Sequence, residues 1–315
     1  MRPGPGRPMH ASIVVVRRLH LVLAALVGTV ALVAAGCGGS SSMAVPELTS
    51  FTSAAKASSA ADSAKFELTF SMTMPLSDKP LSFSASGGFD KPADRAQLNF
   101  DLSSLAELFK SLGQSFGGKV TGDMGSPSDW KLDAIKDGDL VYIHFPLIED
   151  KLPAGKTWVK GDVKELAGAG GGDLDQFGSF AGTDPRDVFG MLKAVSGSIR
   201  SVGTEEIRGV ETSHYMATID IAKLEKLVPA AQRESLGGLD QAATQAGLTG
   251  IPIDIWIDGD QQVRKLTMEI ETKQPGTTQT VKASLEVELY DYGKPLDITL
   301  PPADQVVDAA TLKTS

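Results

Sequence analysis

From Lys65 onward, apolar residues recur at every second position. Phe66, Leu68, Phe70, Met72 and Met74 alternate with Glu67, Thr69, Ser71 and Thr73, and Leu81, Phe83, Ala85 and then Ala96, Leu98, Phe100, Leu102 continue the pattern. Successive side chains of a strand point to opposite faces, so this period predicts strands with one apolar and one wetted face. Further strands are predicted at Trp130 to Ile135, Leu140 to Phe145, Thr157 to Val159, 199 to 208, 211 to 219, Pro252 to Ile257, Val263 to Glu271 and Thr280 to Tyr290. Asp137-Gly138, Arg208-Gly209 and Asp258-Gly259 stand between neighbours as hairpin turns, because Gly and Asp accept positive φ. That makes about ten or eleven strands, most joined by connections too short for a parallel crossover. Alternation in nearly every strand leaves one face in water, so helices rather than a second sheet must cover the other. A sheet of that size curls. The expectation is an α+β fold: a large, strongly curved antiparallel sheet, a half-barrel, with helices covering its concave face.

The helices have their own period. Leu105, Leu108, Phe109, Leu112 and Phe116 fall at i, i+3, i+4, i+7 and i+11 behind Ser103 or Ser104 as N-cap. An Ala/Ser-rich helix is predicted over about 47 to 62, another from Asp184-Pro185 through Val188, Met191, Leu192 and Val195, and two more near 221 to 235 and 238 to 246. Ala167 to Asp173 is Gly-rich but lacks the Lys-Ser/Thr of a phosphate-binding loop, so it reads as a surface loop.

The N-terminal region follows a different grammar. A basic stretch ending at Arg17-Arg18 precedes an apolar run from Leu19 to Ala35 and then small residues before Cys37, the chain's only cysteine. A retained membrane helix would leave that cysteine without a role. Val33-Ala34-Ala35-Gly36-Cys37 resembles the bacterial lipobox, in which the thiol takes a diacylglycerol thioether and cleavage occurs just before it. Ala34 stands where Leu is commonest. Val16 and Leu19-His20-Leu21 match a twin-arginine signal poorly, so general secretion is the expected route, and Met9 would serve as a start as well as Met1. The expected organisation is a signal peptide over 1–36, a lipidated Gly/Ser tether over 37–46, one domain over 47–305 and a tail over 306–315.

Charge narrows the partners. Once the four arginines before Cys37 are set aside, 26 Lys and Arg face 39 Asp and Glu, a net −13 that repels nucleic-acid phosphates. One cysteine forms no internal disulfide and too small a thiolate set for zinc or iron–sulfur binding.

Candidates for catalysis are thin. His144 and His214 are the histidines beyond the signal, both on alternating strands, and are expected as packing or surface residues. The one Gly-x-Ser-x-Gly run, Gly113-Gln114-Ser115-Phe116-Gly117, falls at the end of the apolar helical stripe and not in a strand-to-helix turn, so no nucleophile elbow is expected. Asp258 to Gln262 with Glu269 has a faint calcium-loop pattern, but Val263 stands where that loop needs Gly, and a hairpin turn accounts for it better. Trp130, Trp158 and Trp256 either line a pocket or fill the core, and core is expected for at least two of them. No cofactor is implied, and no enzyme is expected.

Taken in order, the lipobox, the Ala/Ser-rich first helix, Gly155 to Lys160, the Asp184-Pro185 helix, Val210 to Tyr215, Ile255 to Asp258 and Tyr292-Gly293-Lys294-Pro295 are similar to the actinobacterial LppX/LprG lipoproteins. That family resembles LolA and LolB. The resemblance implies an unclosed half-barrel with an apolar cavity for acyl lipid or glycolipid, a carrier or chaperone on the outer face of the cell membrane, held there by diacylglycerol and palmitate at Cys37, with a membrane transporter as the kind of partner such a carrier would serve. The Gly-rich insertion at 167 to 182 departs from the pattern at the cavity entrance. Cavity candidates, from shared parity, are Phe66, Phe70, Leu98, Phe100, Leu105, Leu108, Phe109 and Leu112, with Ala85 and Val141 as inward positions open to enlargement. The alternatives are a structural or regulatory lipoprotein with a filled core that binds a protein at the cell surface, and an enzyme in which His144 or His214 meets a carboxylate and a hydroxyl.

Overall fold

The computed structural model describes residues 46–73, 80–115, 125–162, 192, 194–227, 250–273 and 280–312. The signal, Cys37, the tether, the Gly-rich stretch, most of the helix predicted from Asp184 and the helices beyond residue 227 lie outside the described residues.

Helix α1 (Pro46–Ala60) leads into β1 (Ser63–Met72), β2 (Leu81–Asp90), β3 (Arg95–Asp101) and helix α2 (Ser103–Ser115). Strands β4 (Lys131–Asp137), β5 (Leu140–His144) and β6 (Trp158–Asp162) follow, then β7 (Val195–Ile207), β8 (Val210–Asp220) and the short helix α3 (Ile221–Leu227). The chain ends with β9 (Gly250–Asp258), β10 (Val263–Lys273), β11 (Thr280–Tyr290), β12 (Val306–Asp308) and one helical turn, α4 (Ala309–Leu312).

All twelve strands form one open, curved sheet in the order β12-β6-β5-β4-β3-β2-β1-β11-β10-β9-β8-β7. Two meanders, β1 to β6 and β7 to β11, are joined where the first strand pairs with the eleventh, Phe66 opposite Leu289 and Phe70 opposite Leu285. Every pairing is antiparallel except β12 with β6. Two expectations need correction. The sheet does not end at residue 305, because Val306–Asp308 pairs with Trp158, Val159 and Lys160 inside what reads as a tail. Val195 opens β7 opposite Ile219 instead of closing a helix, since its β-branched side chain finds a strand partner there.

The hairpin turns lie near the Gly and Asp signals, with two shifts. Asp258 ends β9 and Val263 starts β10, so residues 259–262 form that turn with the positive φ (59°) at Gln261 and not at Gly259. Arg208 and Gly209 both have positive φ (49° and 79°) between the paired Ile207 and Val210, as a two-residue I′ turn requires. In the β4–β5 hairpin, Asp137 pairs with Leu140, so Gly138-Asp139 forms the turn, one residue later than predicted.

One face of the sheet is the core. Phe66, Leu68 and Phe70 of β1, Ile253 and Ile255 of β9, and Leu285, Val287 and Leu289 of β11 are buried with Phe51, Ala54 and Ala55 of α1. At about 25 cal/mol per Å2 of apolar surface removed from water, this alternating set supplies most of what holds the sheet to its helix. A smaller cluster of Leu132, Ala134, Val141 and Ile143 lies under β4 and β5. Val141 is 1% exposed there. It belongs to a filled cluster, and enlarging it would overpack that cluster.

A buried polar joint closes the β9–β10 end. Asp258, 5% exposed, accepts hydrogen bonds from the backbone of Asp260 (3.0 Å) and Gln262 (2.8 Å) and pairs with Arg264 Nε at 2.5 Å. Ser58 Oγ, at the end of α1, accepts from Val263 N at 2.9 Å, and the Tyr292 hydroxyl donates to Val263 O at 2.6 Å. First helix, β10 and the segment after β11 are thereby tied together, and the carboxylate of the faint calcium-loop pattern is used by its own turn.

Candidate functional site

The apolar face carries the residues that parity selects. Phe66 (7% exposed) and Phe70 (2%) are buried, and the Phe70 ring lies 4.8 Å from that of Phe83. Leu98 and Phe100 of β3 pack against the same core but remain half-exposed. Helix α2 divides its predicted stripe. Leu108 is buried in the core and Leu105 packs against it half-exposed, whereas Phe109 lies 6.0 Å from the Trp130 ring. The side chain of Leu112 and all of Cys37 lie outside the described residues.

Local hydrogen bonds fix α2 over β2. Asp101 Oδ1 accepts from Ser103 Oγ (2.6 Å) and Ser103 N (3.0 Å), and Ser104 Oγ accepts from Ser82 N (3.2 Å). The Ser103 hydroxyl and then its amide hold the Asp101 carboxyl below the ordinary carboxylate range. Within the main core Ile219, Ile253 and Ile255 are at most 1% exposed, while Phe83, Leu98, Phe100 and Leu105, around β2, β3 and α2, and Tyr215, Ile270 and Val281, on β8, β10 and β11, keep accessible surface.

The opposite face carries an arrangement that sequence reasoning did not foresee. Trp158, His144, Asp133, Asn99, Ser86, Glu67, Glu288, Lys265, Trp256 and His214 are successive register partners, one from each strand from β6 to β8. Most touch their neighbours. His144 lies 5.3 Å from Trp158, with Nδ1 3.2 Å from Asp133 and Nε2 2.7 Å from Glu149, and Asn99 Nδ2 donates to Asp133 at 2.6 Å. On the far wing His214 stacks on Trp256 at 4.2 Å with its Nε2 2.6 Å from Asp254, and Lys265 sits 5.5 Å over the Trp256 ring. Trp256 Nε1 donates to Glu205 at 2.7 Å, and Arg208 reaches Glu288 and Glu67, each at 2.6 Å, so the β7–β8 hairpin lies over this face.

The core expectation holds for burial only at Trp256, which is 7% exposed but lies on the face opposite the main cluster, beneath the β7–β8 hairpin. Trp158 is half-buried on that same face, and Trp130, also half-buried, closes the 3-10 turn Pro127–Asp129 beside α2. Parity held the signal, because Trp256 stands between Ile255 and Ile257 and so faces the other way. Both histidines lie on the same polar face, and each is bonded to carboxylate. The two ring nitrogens of His144 point to different carboxylates, so those groups do not converge on one point. Among the described residues no group of three His, Cys, Asp or Glu is placed to hold a metal ion, and no helix is long and apolar enough to cross a membrane.

No family model matches the chain. It is 31% identical over 156 residues to a 31.2 kDa protein of Streptomyces griseus from the rplA-rplJ intergenic region; the match covers 49% of this chain and about half (48%) of that protein. Among solved structures it is similar to the lipoprotein LppX of Mycobacterium tuberculosis, at 14% identity and TM-score 0.41 over 80% of this chain and 97% of that one. It is similar also to LprF of Mycobacterium bovis, at 16% identity and TM-score 0.44 over 82% and 99%, and to a LolA superfamily protein of Nitrosomonas europaea, at 8% identity and TM-score 0.25 over 82% and 96%.

Proposed function

We propose that this chain is a membrane-anchored extracytoplasmic lipoprotein that takes up an acyl lipid or glycolipid between its apolar sheet face and the helices over it, and passes that lipid on without covalent chemistry. The observation that carries the reading is the half-exposed apolar patch formed by Phe83, Leu98 and Phe100 beside Leu105 of α2. Methylenes in a bilayer are already buried, at about 0.8 kcal/mol each relative to water, so an acyl chain leaves it at little cost only where a protein buries those methylenes again, and this patch is the apolar surface on which it would do so. The Cys37 lipobox supplies the anchor, and the net −13 of the chain from Cys37 onward suits a body standing off an anionic membrane surface.

The fully buried Ile219, Ile253 and Ile255 of β8 and β9 favour a second reading, a filled-core lipoprotein that binds a protein partner. A fluorescent fatty-acyl probe separates the two. The carrier binds the probe, and Leu105→Trp weakens binding by about tenfold with the melting temperature nearly unchanged. A protein that binds no probe, and retains no lipid when isolated from its own membrane, is the filled-core alternative.

A further inference from the structure

The row of side chains across the polar face opens at Ser86. Between Asn99 and Glu67 the register partner is Ser86, and here the face hollows into a trough of about 420 Å3. That lies within the range of about 300 to 1,000 Å3 typical of small-molecule sites. Elements crossing the sheet raise its walls. The chain after β11 runs over the register row next to the trough: Lys294 O accepts from Ser63 Oγ, a Cβ on Gly88 would lie 3.0 Å from Leu296 Cδ1, and Arg95 Nη1 donates to Ile298 O at 3.4 Å before the chain ends in β12. At the Glu67 end, Arg208 brings in the β7–β8 hairpin.

The chemistry of the lining selects among ligands. Its three carboxylates already have donors: Arg208 and Tyr290 on Glu67, Ser103 on Asp101, Asn99 on Asp133. A cation is therefore not required to stabilise them, and three carboxylates against Lys131 in the lining and Arg208 on Glu67 leave no surplus positive charge to hold an anion. The floor is different. Thr69, Ser84 and Ser86 present hydroxyls that have no hydrogen-bond partner among the described residues. Hydroxyls that both donate and accept, beside carboxylate oxygens with lone pairs to spare, complement a ligand that is itself a dense array of neutral hydroxyls. We infer that this trough binds a neutral saccharide. The site lies on the face opposite the apolar patch and stands or falls independently of acyl binding.

Calorimetric titration of the full chain in detergent with maltose, mannobiose and galactobiose tests it. At least one disaccharide binds, and Ser86→Leu, a change at an exposed strand position that leaves the melting temperature in place, weakens it by about tenfold or more. Dodecyl maltoside distinguishes the source: equal affinity with maltose points to a glycan chain, and tighter binding that is still lost in Ser86→Leu points to the headgroup of a glycolipid. The proposal is overturned if no disaccharide binds, if Ser86→Leu changes binding by less than about twofold, or if calcium binds in a manner that Asp133→Asn abolishes while sugars do not.

Discussion

Arg208 and Glu67 meet at 2.6 Å across the polar face, although Glu67 lies on β1 and Arg208 sits in the turn beside β8, four places away in the sheet. The contact requires the sheet to curl and the β7–β8 hairpin to lean over it. The Arg208 guanidinium also lies 4.0 Å from the centroid of the Tyr290 ring and bonds Glu288. Burial alone would raise the Glu67 pKa, but hydrogen bonds from Arg208 and Tyr290, with the charge of Arg208, hold it below its ordinary value.

A carboxyl with a lowered folded-state pKa stabilises the protein above its unfolded pKa, and that contribution disappears as pH falls through the folded value. Glu67 and Asp101 both have lowered values. Melting temperature should therefore fall as pH is taken from 5 to 3 (about the span of ordinary carboxylate titration), and Arg208→Ala should reduce the part of that fall that Glu67 contributes. An equal pH slope in wild type and Arg208→Ala would show that the hairpin contact carries no linkage.

Asp258 and Arg264 form the buried ion pair that closes the β9–β10 turn. Removing one partner of such a pair leaves the other uncompensated, at a cost of about 3 to 5 kcal/mol. Arg264→Ala should lower the denaturation midpoint strongly, whereas Lys282→Ala, which breaks the exposed pair with Glu271, should change stability by less than about 1 kcal/mol. Chemical denaturation of both variants tests the contrast.

Gly87 allows β2 and β3 to approach, because a Cβ there would overlap the carbonyl oxygen of Gln97. Gly87→Ala is expected to destabilise by about 1 to 3 kcal/mol through the forced shift. Thermal unfolding should show this loss, while Gly155→Ala, where no atom lies within 4 Å and only the positive φ of 78° resists the change, should be milder.

Enlargement should separate the two apolar regions. Val141→Trp falls in the filled cluster under β4 and β5 and should lower stability by about 1 to 3 kcal/mol or prevent folding. Leu105→Trp, on α2, adds volume at the half-exposed patch against the main core alone and should spare stability while blocking an acyl probe.

Cys37→Ser should move the protein from the membrane to the soluble fraction, since two acyl chains anchor stably where one is marginal. Cell fractionation checks this. An uncleaved variant that stays in the membrane with unchanged detergent partitioning would mean that Leu19 to Ala35 is a spanning helix.

Alternation in Phe66 to Met72 and in Ala96 to Phe100 is enough to assign faces, the short connections make the sheet antiparallel, and the apolar stripe from Leu105 places a helix on it. The last strand was not legible, because Val306–Asp308 is three residues long and has no neighbour in the sequence to suggest a partner. Val195 reads as helix for a related reason: it continues the helical spacing of Val188, Met191 and Leu192, and only its pairing with Ile219 makes it the start of a strand.

A period of two determines which face a side chain takes, and Gly or Asp at the turns determines which strands become neighbours along the chain. Both are local properties, so the sequence by itself settled the open antiparallel sheet, its apolar side and the boundaries of most hairpins. Which residue stands beside which across β1 and β11, or across β6 and β12, depends on pairings between segments more than a hundred residues apart in the chain. Only the packed sheet could align Trp158, His144, Asp133 and Asn99 with Glu67, Lys265, Trp256 and His214, because register between distant strands is set by the cores they jointly bury and not by any pattern within either strand.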